Sequence, residues 1–170
     1  ARIASIAGSE AWTKIGVMMR ASTASNAAYA FMLGSISKGF GLQRRRADGA
    51  SAMHTSGGSG TAPRWVALTR SGDTITAHIS SSGSTWTTVG SDTFDMPSTI
   101  LVGLAAHSHA TSRLATGVFD NVSVDSGSVT TNELPEGWES GDIGAVGVAG
   151  TAFAENGTFT VTGAGDDVWG

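Results

Sequence analysis

The chain has 170 residues, including 24 glycines, 3 prolines and no cysteine, and a formal net charge of −4 at pH 7. This length suits one domain with its own core, and the lack of cysteine excludes a disulfide framework, a thiol nucleophile and cysteine-ligated zinc. No apolar run is long enough to span a membrane, so membrane insertion is not expected.

The charge is unevenly distributed along the chain. Residues 1–85 carry nine basic and three acidic side chains, a balance of +6, whereas residues 86–170 carry one basic and eleven acidic ones, a balance of −10. Two interpretations follow: charge complementarity between the two halves, or a basic groove for an acidic ligand. Nucleic acid is not an expected partner, because the chain is acidic overall and its basic residues lack interleaved aromatic residues.

Alternating or short apolar runs predict β-strands along most of the chain. In chain order they lie at 2–6, 12–22, 28–35, 40–46, 65–69, 74–79, 85–89, 99–107 and 114–124, followed by shorter pieces at 137–143, 150–154 and 158–162. The strands at 65–69 and 74–79 flank Arg70-Ser71-Gly72-Asp73, which is typical of a hairpin turn. With 85–89 they form a three-stranded meander, and 55–62 is predicted as a glycine-rich loop.

The pattern also predicts the organisation of the chain. Residues 1–125 form the main sandwich, residues 126–133 are a polar linker, and residues 134–170 complete the sandwich, either their own or that of a neighbouring chain. The fold class is therefore all-β, with two antiparallel sheets.

Arg20, Gln43 and Arg45 are hard to explain as core, so we predict that they share one polar sheet face. Sugar recognition requires aromatic rings to stack on the sugar and planar polar groups to bind its hydroxyls. The predicted ligand-binding residues are Arg20, Gln43, Arg45, Trp65, His78 and His107. The alternative for Trp65 is core packing.

Several segments resemble bacterial concanavalin A-like lectin/glucanase domains of the laminin G-like type. They are WTKIGVMMR (12–20), GFGLQRRR (39–46), PRWVALTRSGDTITAHISSSGSTWTTVG (63–90), VGLAAHSH (102–109) and VFDNVSV (118–124). The resemblance covers about residues 1–125 and implies a jelly-roll sandwich from a secreted bacterial repeat protein. That architecture hosts sugar-binding, catalytic and structural members.

Residues 134–170 resemble the opening of such a domain, although here they follow its closing strand. Three explanations fit this order. The chain was cut out of a tandem array out of register, it is circularly permuted, or residues 134–170 exchange between two chains and give a homodimer.

The resemblance also implies a structural Ca²⁺. Asp120 is similar to the closing-strand Asp that many jelly-roll carbohydrate modules use as a calcium ligand, and Asp142 and the Asp166-Asp167 pair could supply further oxygens. The alternative for Asp120 is a loop hydrogen bond. His107 and His109 have a spacing that zinc ligands use, but no third ligand is in view, which favours loop hydrogen bonding.

Catalysis is not predicted. Family glycosidases use two converging carboxylates, but Glu10 is the only Glu before position 133. His107-Ser108-His109 is unsuited to a triad, since adjacent strand residues point to opposite faces. We therefore expect a non-catalytic module that binds a polysaccharide or glycan. The alternatives are a structural repeat or adhesin spacer without ligand and, third, a glycoside hydrolase or polysaccharide lyase domain.

Overall fold

The computed structural model describes residues 1–124 and 134–165. The predicted linker at 126–133 and the Asp166-Asp167 pair lie outside the described residues. Within these ranges the chain forms β-strands and no helix, so the predicted all-β class is confirmed. Accordingly, the described residues contain no helix long and apolar enough to cross a membrane.

The strands are β1 (Arg2–Ala7), β2 (Lys14–Arg20), β3 (Tyr29–Ser35), β4 (Phe40–Arg45), β5 (Met53–Ser56), β6 (Arg64–Ser71), β7 (Thr74–Ser80), β8 (Thr87–Thr93), β9 (Leu101–His107), β10 (Ala110–Asp120), β11 (Thr151–Glu155) and β12 (Thr158–Gly165). They form two antiparallel sheets. The seven-stranded sheet has the order β11, β12, β10, β1, β6, β7, β8, and the five-stranded sheet has the order β5, β4, β3, β2, β9. The result is a two-layer sandwich compatible with a jelly roll.

The predicted central hairpin is confirmed. Strands β6 and β7 pair from Trp65↔Ser80 to Ser71↔Thr74, and β8 adds to β7 as the third strand of the meander. Only Gly72 and Asp73 remain in the turn, where Gly72 has a φ of 59°. A side chain is strained in this left-handed conformation, which explains the glycine.

Two local predictions are wrong. Met53–Ser56 is a strand that pairs with β4, although its second half was predicted as loop. Its single aliphatic side chain gives no apolar alternation. Conversely, residues 137–143 contain no strand. Ile143 instead packs against the buried cluster on the outer face of the five-stranded sheet.

The main core lies between the two sheets. Ile15 and Met32 from the five-stranded sheet are fully buried with Val66 and Phe119 from the seven-stranded sheet. These positions alternate with side chains on the outer faces, as the two-residue period of a strand requires. Hydrophobic burial between the sheets is therefore the main stabilising contribution.

Residues 134–165 belong to the same sandwich in this single chain. Strand β12 pairs with β10 from Ala115↔Gly163 to Phe119↔Phe159, and β11 lies outside β12. Phe159 is buried in the main core, and its ring lies 5.0 Å from that of Trp138. The hairpin thus covers an edge of β10 that would otherwise be open.

The centre of the five-stranded sheet is buried on both faces. Its outer face carries a second buried cluster with Met18, Tyr29, Phe31 and Leu33. All seven residues of β3 are buried as a result, which accounts for the nearly continuous apolar sequence of that strand. The packing of this cluster also holds the neighbouring polar side chains of the outer face in fixed positions.

Candidate ligand-binding face

The outer face of the five-stranded sheet brings together several of the predicted ligand-binding residues. Antiparallel register aligns Arg20 with Tyr29 and Tyr29 with Arg45 in one row across three strands. Gln43 lies in the next row of the same face. The predicted common face of Arg20, Gln43 and Arg45 is therefore confirmed.

One end of this face forms the arginine cluster, which we define as Arg20, Tyr29 and Arg45. Tyr29 is fully buried, and both guanidinium carbons lie near its ring, that of Arg20 at 6.0 Å and that of Arg45 at 5.5 Å from the centroid. Each arginine is only 5% exposed. Stacking of planar cations on a buried ring gives a rigid, densely packed group.

The two guanidiniums bind loop carbonyls. Arg20 donates to the backbone oxygens of Ser22 at 2.5 Å and Ala24 at 2.6 Å. Arg45 donates to those of Ala50 at 2.8 Å and Ser25 at 3.0 Å. These bonds fasten the loop after β2 and the loop after β4 to the sheet.

The two loops also bind each other. The Ala28 amide donates to the Asp48 carboxylate at 2.8 Å, and the Gly49 amide donates to the Asn26 carbonyl at 2.8 Å. Burial lowers the pKa of Arg20, and the nearby charge of Arg45 lowers it further. The carbonyls around the two buried guanidiniums stabilise their like charges by accepting hydrogen bonds. The donors named here are therefore used within the protein, and the arginine cluster has a structural role.

The other end of the face forms the tryptophan cluster, which we define as Trp12, Lys14, Lys38 and His54. Along β2, Lys14 and Arg20 are six residues apart, about 20 Å at the usual strand rise. Trp12 is 37% exposed. The ammonium groups of Lys14 and Lys38 lie 5.6 Å and 5.9 Å from its ring centroid.

His54 completes the tryptophan cluster. Its ring meets that of Trp12 edge-on, with centroids 6.4 Å apart and an interplanar angle of 89°. A β-carbon on Gly41 would overlap the His54 ring, so glycine at this position leaves room for the imidazole. Burial lowers the pKa of His54, and the positive charges of Lys14 and Arg44 lower it further.

Gln43 lies between the two clusters. It pairs with His54 on β5 and with Phe31 on β3. Its amide is buried, and its Oε1 atom has no hydrogen-bond partner among the described residues. Such an unsatisfied buried acceptor is uncommon and unfavourable.

Trp65 and His78 lie on the opposite side of the molecule. Both belong to the seven-stranded sheet, on its outer face, since the neighbouring Val66 and Ala77 point into the main core. A β-carbon on Gly83 would collide with the Trp65 indole, so the turn after β7 packs on that ring. His78 contacts Thr69 at 3.2 Å. The structure therefore does not bring these two residues to the arginine face.

The two predicted calcium ligands are also separate. Asp120 forms an ion pair with Arg2 at 3.1 Å and accepts a hydrogen bond from the Asn121 side chain at 2.8 Å. Asp142 accepts a hydrogen bond from the Gly150 amide at 3.0 Å. In the described ranges there is no group of three or more His, Asp or Glu side chains that could hold a metal ion.

His107 lies opposite Lys14 on the outer face, at the edge of the five-stranded sheet. It is buried, and its Nδ1 accepts a hydrogen bond from the His109 amide at 3.2 Å. The two imidazole centroids are 6.0 Å apart. His109 has a φ of 62°, so the chain turns sharply here and the regular strand geometry assumed for a two-residue ligand pair is lost.

Ion pairs connect the basic and acidic halves of the chain. Arg44 and Arg46 bind Asp92 at 2.8 Å and 2.9 Å, and Arg2 binds Asp120 as described above. These contacts support charge complementarity as the reason for the uneven distribution. Lys38 takes part in none of the ion pairs found between described residues.

Sequence reasoning did not select Trp12, Lys38 and His54. Alternation places Trp12 on the same face as Lys14 and Arg20, which is a usable signal. His54 was not selected because β5 was not predicted: its second half falls in the loop assigned to 55–62, and its first half falls in no predicted element. Comparison with known proteins adds no identity, since no family model, no curated protein and no solved structure matches this chain.

Proposed function

We propose that this chain is a non-catalytic carbohydrate-binding module of a secreted bacterial multidomain protein, with its binding site at the tryptophan cluster. The observation that carries the proposal is the exposed Trp12 indole with Lys38 and His54 around it. An exposed indole offers a flat apolar surface to the C–H face of a sugar, and the neighbouring nitrogen groups bind polar substituents.

The resemblance to concanavalin A-like domains supports a carbohydrate ligand but leaves its position open. The arginine cluster is a weaker candidate than the sequence predicts, because its donors already bind loop carbonyls. The proposed site still lies on the polar sheet face that the sequence predicts to bind polysaccharide. It is at the tryptophan cluster, about 20 Å along β2 from the arginine cluster. A structural Ca²⁺ is not needed for this site.

The second candidate is a structural repeat or spacer without ligand. The closed arginine cluster favours it, since a pair of buried arginines that joins two loops stabilises the sandwich whether or not a ligand binds. The two candidate functions differ in whether an exposed side chain must contact a ligand. Only the binding module requires Trp12 for anything other than packing.

The test is affinity electrophoresis in gels that contain neutral or uronic-acid polysaccharides. Wild type and Trp12→Ala are compared with Trp86→Ala, a matched control because the Trp86 side chain is 39% exposed and lies next to β8 in the other sheet. We expect retardation of wild type and Trp86→Ala and loss of retardation in Trp12→Ala. Unchanged mobility of wild type in every gel would favour the structural repeat.

A further inference from the structure

The tryptophan cluster combines one exposed ring with two ammonium groups. Both Nζ atoms lie within 6 Å of the Trp12 centroid, at 5.6 Å and 5.9 Å, and an imidazole touches the ring edge-on. The whole chain is acidic, with a net charge of −4. A local group of cations on an acidic protein creates a field that selects for negatively charged ligands.

The lysines differ in their surroundings. Lys14 is 1% exposed, whereas Lys38 is exposed on the turn between β3 and β4. The Lys38 backbone is fixed, because its amide donates to the Ser35 hydroxyl at 2.7 Å. Its ammonium group can therefore meet a ligand while the turn that carries it stays in place.

We propose that the ligand of this site is an acidic glycan, with a uronate ring stacked on Trp12 and its carboxylate bound by the Lys38 ammonium group. This inference rests on the proposed function. In a uronate the carboxylate carbon is bonded directly to the ring, so one sugar residue can stack and form an ion pair at once. The charge-assisted contact adds affinity that a neutral sugar would lack.

His54 favours the same ligand class. Burial and then the positive charges of its neighbours lower the pKa of His54, and a bound carboxylate would offset those charges. Lys14 from β2 and Lys38 from the adjoining turn lie near Trp12, the ring that His54 meets edge-on, and Arg44 from β4 contributes its charge from the other side of the sheet. No carboxylate of a described residue lies within 4 Å of the Lys38 ammonium group, so a ligand carboxylate would fill that role.

The experiment compares polygalacturonate and alginate with their fully esterified forms, which keep the sugar rings and lose the charge. Binding to the full chain is measured by isothermal titration calorimetry for wild type, Lys38→Gln and Arg2→Gln. Arg2→Gln is the control, because it removes one partly exposed positive charge, that of the Arg2–Asp120 ion pair, from the other sheet.

We expect wild type to bind a free-acid polymer about tenfold or more tightly than its ester, as one charge-assisted contact would give. Lys38→Gln should remove most of that difference, and Arg2→Gln should keep it. Equal binding of acid and ester would overturn the acidic ligand and leave the carbohydrate module intact. Failure of wild type to bind any polysaccharide, neutral ones included, would refute the proposed function itself.

Discussion

The two ends of the outer face of the five-stranded sheet use cations in opposite ways. At the arginine cluster, two guanidiniums are 5% exposed, stack on a buried tyrosine and donate to loop carbonyls. At the tryptophan cluster, the Lys38 ammonium group is exposed beside a partly exposed indole. The first end has its donors occupied by the protein itself, and the second has surface left for a ligand.

This difference shows that a polar residue on a sheet face does not by itself indicate a binding site. A planar guanidinium with several donors can hold two loops at once, so an arginine on a sheet face can stabilise the fold without binding a ligand. The exposed fraction and the hydrogen-bond partners distinguish the two uses. If the two ends differ in this way, substitutions at the arginine cluster should lower the unfolding free energy more than substitutions at the tryptophan cluster.

The largest effect is expected for Tyr29→Ala. It removes a fully buried ring that both arginines contact, and loss of a buried aromatic residue costs about 3–5 kcal/mol of unfolding free energy. Urea denaturation followed by tryptophan fluorescence measures this loss. Tyr29→Phe is the control, because it keeps the ring and should retain most of the stability. A loss below about 1 kcal/mol in Tyr29→Ala would mean that the arginine end is loosely packed.

Arg45→Ala should be the next most damaging change. It leaves the carbonyls of Ala50 and Ser25 without their donor and removes one of the two cations on the tyrosine ring. The two lost hydrogen bonds and the lost packing of a buried guanidinium together cost about 2–4 kcal/mol. Lys38→Ala, the matching cation removal at the tryptophan cluster, should change the unfolding free energy by less than about 0.5 kcal/mol. Similar losses of unfolding free energy in Arg45→Ala and Lys38→Ala would contradict the proposed difference between the two clusters.

An intermediate effect is expected for Asp92→Asn. This carboxylate binds Arg44, which neighbours Arg45 in β4 but points to the other side of the sheet. Burial alone would raise the pKa of Asp92, but hydrogen bonds from Arg46 and Arg44 outweigh burial, so its pKa lies below the usual 3.8. Asparagine should cost about 1–2 kcal/mol at pH 7.

The cost of Asp92→Asn should depend on pH in one direction. Because the native pKa is lowered, the unfolded chain takes up the proton first, and the stabilisation is present above about pH 5 and declines as pH falls through 3.8 towards the native pKa. Thermal unfolding of both proteins from pH 7 to pH 3 measures this convergence. A difference that stays constant with pH would show that the ion pair is not its source.

Much of the fold could be predicted from local sequence, and the candidate site only in part. The β6–β7 hairpin follows from alternation on both sides of Gly72, a signal contained within about a dozen residues. The two-residue period also places Gln43 and Arg45 on one face of their strand, whereas the face they share with Arg20 depends on the pairing of β2, β3 and β4. Whether such a face is open depends on the loops that cover it, and the loops at 22–28 and 46–52 carry no pattern that predicts their contacts.

The separation of Trp65 and His78 from this face has a similar cause. Periodicity assigns residues to faces of a strand, but it does not say which sheet the strand joins. The hairpin at 64–80 lies in the seven-stranded sheet, which depends on long-range pairing with β1. Likewise, β5 was missed because edge strands with polar side chains resemble loops in sequence.

The smallest effect is expected for Gln43→Met, at the boundary between the two ends. Its Oε1 atom is buried without a hydrogen-bond partner among the described residues, so an apolar side chain of similar length removes an unfavourable burial. The unfolding free energy should stay the same or rise by up to about 1 kcal/mol, measured by urea denaturation. A loss of more than about 2 kcal/mol would mean that the amide makes a contact that the protein needs. In that case, the closed end of the face would extend as far as His54, and less of the tryptophan cluster would remain for a ligand.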